Sequence, residues 1–350
     1  MTRTLIQDYP NQTGEHCGSQ SMRDLLRFYC HLDLPEEVVF GLGSGIDCIF
    51  VANERFQPAL VLFGRTITME TDLGGALGVD YRESVEMDND KAWELVRQEV
   101  KEGRPTMLSG DVIYLDYRRF KVHFPGHRFV LVGFDDEKKL AYVADRIAPD
   151  IQAASYGAVA KSRNPPEGMS TYNLWGKFHD TKVGHSLEEA CAIAIRRNAE
   201  RMLGRDRSQL DLLSGLGGAE HMVVSTGLEG LAAFSASVGG WHEREDSGFL
   251  ASYASQAIEK FGTGGGNFRK MYSGFLRWAR GRRPDLVPEN VPALCDRSAA
   301  CWTDVAGALE KASKDPADKG HWALAAEKAG EIHGIEQALF GRLAAATTAE

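Results

Sequence analysis

A cysteine, a histidine and an aspartate, far apart in this 350-residue chain, could together carry out covalent acyl chemistry. Cys17 stands in Gly14-Glu15-His16-Cys17-Gly18-Ser19-Gln20-Ser21-Met22, where a loop gives way to a helix: Met22, Leu25, Leu26 and Tyr29 recur at helical spacing behind a Gly-Ser entry. The unpaired N–H groups and positive end of a helix start favour thiolate over thiol, and thiolate is the nucleophile. Alone, such a cysteine also fits an inert buried position, so the reading depends on partners downstream. A thiol nucleophile needs a base, and the base needs an acceptor that fixes its tautomer and stabilises the imidazolium. His127 is the candidate base and Asp145 the candidate orienter.

The elements around these residues supply a shared location. His127-Arg128-Phe129-Val130-Leu131-Val132-Gly133-Phe134 predicts a buried strand, Asp135-Asp136-Glu137-Lys138-Lys139 a hairpin turn, and Leu140-Ala141-Tyr142-Val143-Ala144-Asp145 the returning strand. His127 opens the hairpin and Asp145 closes it, so both belong at the same end on neighbouring strands. A nucleophile on the leading helix, with base and orienter on a following sheet, is the arrangement of papain-like thiol enzymes. Elsewhere the pattern predicts helices over about 18–30 and 88–102, strands near 46–51, 58–68 and from 106, and an irregular stretch from 151 to 167 containing Asn164-Pro165-Pro166-Glu167-Gly168. Helical periodicity dominates beyond it, over 186–203, 226–239, 248–261, 267–280, 301–313 and 319–343. The expected organisation is a papain-like α+β domain over 1–150, its leading helix packed on an antiparallel sheet, and a mainly α-helical domain over 151–350.

Composition narrows the function classes. With 43% apolar and 25% charged residues the chain can bury substantial cores, and its length suits two domains. A formal charge of −9 argues against nucleic acid as a partner, because such binding needs a basic face. No apolar run approaches 18 residues, which argues against a membrane span, and an early acid at Asp8 interrupts any signal-peptide core; a cytoplasmic protein is expected. The six cysteines have no CxxC or Cys/His metal spacing, so reduced thiols and no metal site are expected, with Cys30, Cys48, Cys191, Cys295 and Cys301 structural.

Residues 8–150 resemble the amino-terminal domain of the butirosin-biosynthesis acyltransferase (BtrH-like) family. The resemblance lies in Glu15-His16-Cys17-Gly18-Ser19, Val39-Phe40-Gly41-Leu42-Gly43-Ser44-Gly45 and Phe124-Pro125-Gly126-His127-Arg128-Phe129-Val130-Leu131-Val132-Gly133-Phe134-Asp135. The second half is similar to the helical domain that follows it, most clearly in Gly262-Thr263-Gly264-Gly265-Gly266-Asn267-Phe268-Arg269-Lys270-Met271-Tyr272. The resemblance implies acyl transfer from the phosphopantetheine thioester of an acyl carrier protein to a small-molecule amine, with no bound cofactor, in specialised-metabolite (antibiotic) biosynthesis. Cys17 and His127 then correspond to nucleophile and base; Asp145 follows more from its hairpin position. The donor acyl group, the amine and any homodimerisation are left open.

Catalysis would also require donors for the tetrahedral oxyanion. The Cys17 N–H is one; for the second, papain-like enzymes place a glutamine about six residues before the nucleophile, where this chain has Asn11, with Gln12 five before. Gln12 is the favoured candidate. The segment Thr263-Gly264-Gly265 before a helix carrying Arg269 has the order of an anion cradle for a pantetheine phosphate or substrate carboxylate, or equally of a tight turn. His16 is expected to cap the helix or line substrate. His123 and His127, separated by Phe124-Pro125-Gly126, do not share a helix face and are not expected to bind metal. Arg277, Arg280, Arg282 and Arg283 form a solvated helix end or attract an acidic carrier protein. The same triad would serve a cysteine peptidase or amidase, and the fold could also persist in a catalytically idle binding protein.

Overall fold

The computed structural model describes residues 3–55, 57–121, 123–165, 170–214 and 222–348. Strand β1 (Arg3–Leu5) precedes helices α1 (Cys17–Cys30) and α2 (Glu36–Leu42), then strands β2 (Ile46–Ala52) and β3 (Leu60–Arg65) and helix α3 (Met69–Leu77). Strand β4 (Asp80–Ser84), helix α4 (Asn89–Lys101) and strands β5 (Thr106–Gly110), β6 (His127–Asp135), β7 (Leu140–Ala144) and β8 (Gln152–Ser155) follow, then α5 (Tyr156–Arg163) and β9 (Trp175–Asp180). The remainder comprises α6 (Leu187–Met202), α7 (Ser208–Ser214), β10 (Val223–Ser225), α8 (Gly227–Val238), α9 (Ser247–Glu259), α10 (Arg269–Arg280), α11 (Val291–Lys314) and α12 (Lys319–Thr347).

These elements form two units whose chain segments interleave: Met1–Val39 with Gly78–Gly184, and Phe40–Leu77 with His185–Glu350. A boundary at residue 150 is therefore not where the packing divides. Strand β9 inserts between β4 and β5, pairing Tyr81 with Phe178 and Met107 with Gly176, which draws the chain through Gly184 into the first unit. Strand β2 pairs with β10, Val51 opposite Val224, which draws residues 40–77 into the second.

The first unit is α+β, with α1 packed on an antiparallel sheet of order β4-β9-β5-β6-β7-β8 and β1 also paired to β6. All nine residues of β6 are buried, as a continuous apolar run predicts for a strand covered on both faces. Phe129 and Leu131 pack with Val96 and Val100 of α4, Leu108 of β5, Val143 of β7 and Val159 of α5. The stretch 151–167, expected to be irregular, instead contains β8 and α5, the helix capped by the Ser155 hydroxyl accepting the Ala158 N–H at 3.2 Å. A four-residue strand and an eight-residue helix are too short to register as periodicity. Residues 166–168 of the Asn164–Gly168 break lie outside the described residues.

In the second unit a three-stranded sheet, β10-β2-β3, accompanies helices that bury Trp302, Trp322, Phe234, Phe275, Tyr272 and Phe340. Helix α11 starts ten residues before the expected Cys301, with Pro292 in its first turn, where a missing N–H costs nothing. Among the described residues no helix is long and apolar enough to cross a membrane.

Candidate active site

Cys17 is the first residue of α1, and His16 is its N-cap. His16 has extended backbone (φ −110°, ψ 130°), and its Nδ1 accepts the Ser19 N–H at 3.1 Å. The helix start is thus stapled by the residue beside the thiol, the capping role read for His16. Glu36 adds a second clamp: its carboxylate accepts the His16 N–H at 2.8 Å, the Glu15 N–H at 2.9 Å and the Ser19 hydroxyl at 2.9 Å. On the incoming side, buried Asp24 accepts the Gln12 N–H at 2.9 Å and the Gln20 side-chain amide at 2.6 Å, while that amide also donates to the Gln12 carbonyl at 2.8 Å. The loop before the nucleophile is therefore held by side chains one and two turns along α1 itself.

His127 starts β6 directly opposite Gly110, the last residue of β5. Gly110 is needed there for a close approach: a Cβ would lie 2.2 Å from Ser162 Oγ, the hydroxyl of α5 that donates to the Asp111 carbonyl. Asp145 follows β7 on the adjacent strand. The sheet brings His127 Nε2 to 2.9 Å from Asp145 Oδ2, and the Cys17 thiol hydrogen-bonds to the same imidazole. Cys17, His127 and Asp145, read from three separate stretches, thus form one constellation. Cys17 is 4% exposed, His127 3% and Asp145 0%, so the order runs inward from sulfur to carboxylate. The loops bearing the two ends are stitched together as well. Gly14 N donates to the Arg146 carbonyl and the Arg146 guanidinium to the Gly14 carbonyl, both at 3.1 Å, and Asn11 Nδ2 donates to the Ala148 carbonyl at 2.9 Å.

Two further residues belong to the site and carried no sequence signal. Tyr117 donates its hydroxyl to Asp145 Oδ2 at 2.8 Å, and Arg118 Nη1 reaches Oδ2 at 2.9 Å and Oδ1 at 3.2 Å. Both lie in the loop between β5 and β6, where no periodicity marks them.

The electrostatics follow from this arrangement. Burial by itself would pull the His127 imidazole down, but the charge and hydrogen bond of Asp145, with Cys17 adding to them, outweigh it and hold the ring at about 9. Burial would likewise raise Asp145; the His127 charge and hydrogen bond, then Arg118 and Tyr117, instead hold its carboxyl well below the usual range. Burial, then Asp145, pushes the Tyr117 phenol well above its ordinary value, so it stays a donor. Near neutral pH the site holds an imidazolium between a carboxylate and the sulfur, the charge distribution that stabilises a thiolate. Among the other thiols, burial pushes Cys30 up to about 11 and Cys191 up to about 12, and raises Cys48, Cys295 and Cys301 as well.

Gln12 is exposed, with its backbone fixed by Asp24 and Gln20; Asn11 is engaged by the segment after Asp145. In the second unit the glycine-rich segment is a closed turn rather than an open cradle. Gly262, Gly264, Gly265 and Gly266 all have positive φ, Thr263 Oγ1 accepts the Gly265 N–H at 3.0 Å, and Glu259 accepts the Gly266 N–H at 2.9 Å. Arg269 is 1% exposed and ion-paired to Glu336, so Thr263, Gly265 and Arg269 direct their donors into the protein instead of toward a bound anion. His123 pairs with Asp111 at 2.7 Å. Arg277 pairs with Asp296 and Arg283 with Asp285, while Arg280 donates to the Val287 carbonyl and Arg282 stacks on Trp278. Glu220 and His221, to which the sequence assigned no role, lie outside the described residues.

Comparison with known proteins agrees with the sequence resemblance. None of the curated proteins is a significant match. Among solved structures, one described as a C39-like peptidase from Bacillus anthracis aligns over 52% of this chain and 100% of its own, with 12% identity and a TM-score of 0.35. Residues 16–146 match the family described as butirosin biosynthesis protein H, N-terminal, and residues 158–343 match a domain of unknown function, DUF4872. The chain thus carries a BtrH-type N-terminal domain followed by a DUF4872 domain, and the second match, over more than half of its length, makes it a member of the DUF4872 family.

Proposed function

We propose that the protein is an acyltransferase that moves an acyl group from the phosphopantetheine thioester of a carrier protein to an amine through an acyl-Cys17 intermediate. The observation that carries this reading is the Cys17 thiol at a helix start, hydrogen-bonded to a buried imidazole whose other side rests on Asp145. The family description, which refers to butirosin biosynthesis, supports the choice of a biosynthetic transfer.

In the first half-reaction the Cys17 thiolate adds to the thioester carbonyl, forming a C–S bond and a tetrahedral oxyanion. Collapse breaks the bond to the pantetheine sulfur, which takes the His127 proton and departs as a thiol. Neutral His127 then accepts a proton as the amine attacks the acyl-enzyme; the C–N bond forms, the bond to Cys17 breaks, and the thiolate–imidazolium pair is restored. Exchange of one thioester for another is close to thermoneutral, so catalysis rests on orientation and on the oxyanion donors. The Cys17 N–H and Gln12 are the proposed donors.

Incubation with a synthetic acyl-pantetheine is expected to add one acyl mass to the protein, located on Cys17 by peptide mass spectrometry and absent in Cys17→Ala. No Cys17 adduct would defeat the reading. Release of the adduct by amines, faster than by water, gives the transferase; release by water alone gives a hydrolase. Gln12→Ala is expected to slow adduct formation about 10²-fold while leaving the melting temperature in place; an unchanged rate would remove Gln12 from the oxyanion site.

A further inference from the structure

Arg118 stands in an unusual relation to the proposed base. Its Nη1 lies 3.3 Å from His127 Nε2, while both nitrogens reach the same Asp145 oxygen, at 2.9 Å each. An ionised carboxylate only accepts hydrogen bonds, so Nε2 must carry a proton to bond Asp145. An arginine nitrogen also only donates. The Arg118–His127 approach is therefore a donor-to-donor contact, which becomes cation against cation whenever the ring is protonated. Arg118 neutralises part of the charge with which Asp145 holds the imidazolium, and directly opposes that charge. Among the described residues, the charged and titratable groups at the ring are Cys17 from α1, Asp145 after β7 and Arg118 from the loop before β6, while Tyr117 of that loop bonds Asp145. Asp116, next to Tyr117, is turned away to accept the Ser155 N–H at 3.0 Å.

The proposed reaction asks two opposite things of His127: it must be charged beside the resting thiolate and neutral when the amine attacks. A carboxylate with no counterweight would favour the first state so strongly that the second became inaccessible near neutral pH. Resting on that reading of the site, we propose that Arg118 is a positioning residue that limits Asp145's hold on the imidazolium, and so sets the pH at which His127 gives up its proton. Tyr117 supplies the neutral remainder of the cradle, holding Asp145 without altering its charge.

The test is the pH profile of Cys17 alkylation by iodoacetamide, followed on the Cys17 peptide by mass spectrometry, so that it needs no knowledge of the natural substrate. A thiolate–imidazolium pair gives a plateau at neutral pH, ended by a step where the imidazolium deprotonates. In Arg118→Gln that step is expected to move upward by roughly one to two pH units. Arg118→Lys keeps the cation and is expected to leave the step near its wild-type position, which a role confined to fixing the loop through the guanidinium's own geometry would not predict. A step that stays in place or moves down in Arg118→Gln overturns the proposal. Should that variant fail to fold, an upward move of the step in Arg118→Lys, which keeps the charge, overturns it equally. A wild-type profile with no plateau, an ordinary thiol titration, would instead remove the ion-pair reading itself, so the two failures are distinguishable.

Discussion

Replacing His127 by glutamine is expected to slow acylation of Cys17 by about 10³-fold or more, and to abolish the neutral-pH plateau of thiol reactivity. The thiol would lose the imidazole proposed to take its proton, while the Asp145 carboxylate kept Tyr117 and Arg118 as donors. The carboxylate would stay paired, so the variant should fold, and the rate loss can be read as chemistry. Stability should nevertheless respond with a particular sign. His127 has a raised value in the folded protein, about 9, against about 6.5 in an unfolded chain. Its contribution to stability is therefore full below the unfolded value and is lost as pH rises through about 9. Urea denaturation of wild type and His127→Gln should diverge most near pH 6 and converge above pH 9. Retention of near-wild-type acylation by the variant would rule out His127 as the base.

The site was legible in sequence where local pattern fixes geometry. The helix at Cys17 follows from the spacing of Met22, Leu25 and Leu26, all buried, and the hairpin that brings His127 to Asp145 follows from two apolar runs around a charged turn. Tyr117 and Arg118 were not legible, because a loop residue's target is set by where the chain folds back, and no period encodes that. The interleaving of the two units was hidden for a related reason. Strand β9 joins a sheet whose neighbouring strand β5 ends some 65 residues earlier, a pairing that depends on sheet register rather than on any local signal. The glycine-rich segment before Arg269, open in sequence to either an anion cradle or a tight turn, is the turn. Glycines ahead of a helix and a cation suit an anion site, yet four of them adopt positive φ in a closed turn and the cation faces inward. A motif's order does not say which way its donors point.

That inward ion pair should be the most sensitive point of the second unit. Glu336 is fully buried and accepts Arg269 Nε at 2.7 Å and Nη2 at 2.9 Å, together with the Ser298 hydroxyl at 2.6 Å and Trp302 Nε1 at 3.2 Å. Arg269 Nη1 continues to the carbonyls of Asp47, Gly64 and Asn267 at 2.9–3.0 Å, tying α10 to β2 and β3. Burial would raise Glu336, but Arg269 outweighs it and keeps the carboxyl low, so the pair stabilises above the ordinary glutamate value and is lost as pH falls through the folded one. Glu336→Gln leaves a buried guanidinium without its counter-charge and is expected to cost about 3–5 kcal/mol in denaturant unfolding. Arg269→Met combined with Glu336→Leu removes both charges, and should be less destabilised than either single change, although three carbonyls lose their donor. If Arg269 instead existed to hold an external anion, Glu336→Gln would leave stability near wild type and added phosphate would raise the melting temperature of the native protein. The geometry requires the reverse, because the donors that such an anion would need are already engaged by Glu336 and the strands beside it.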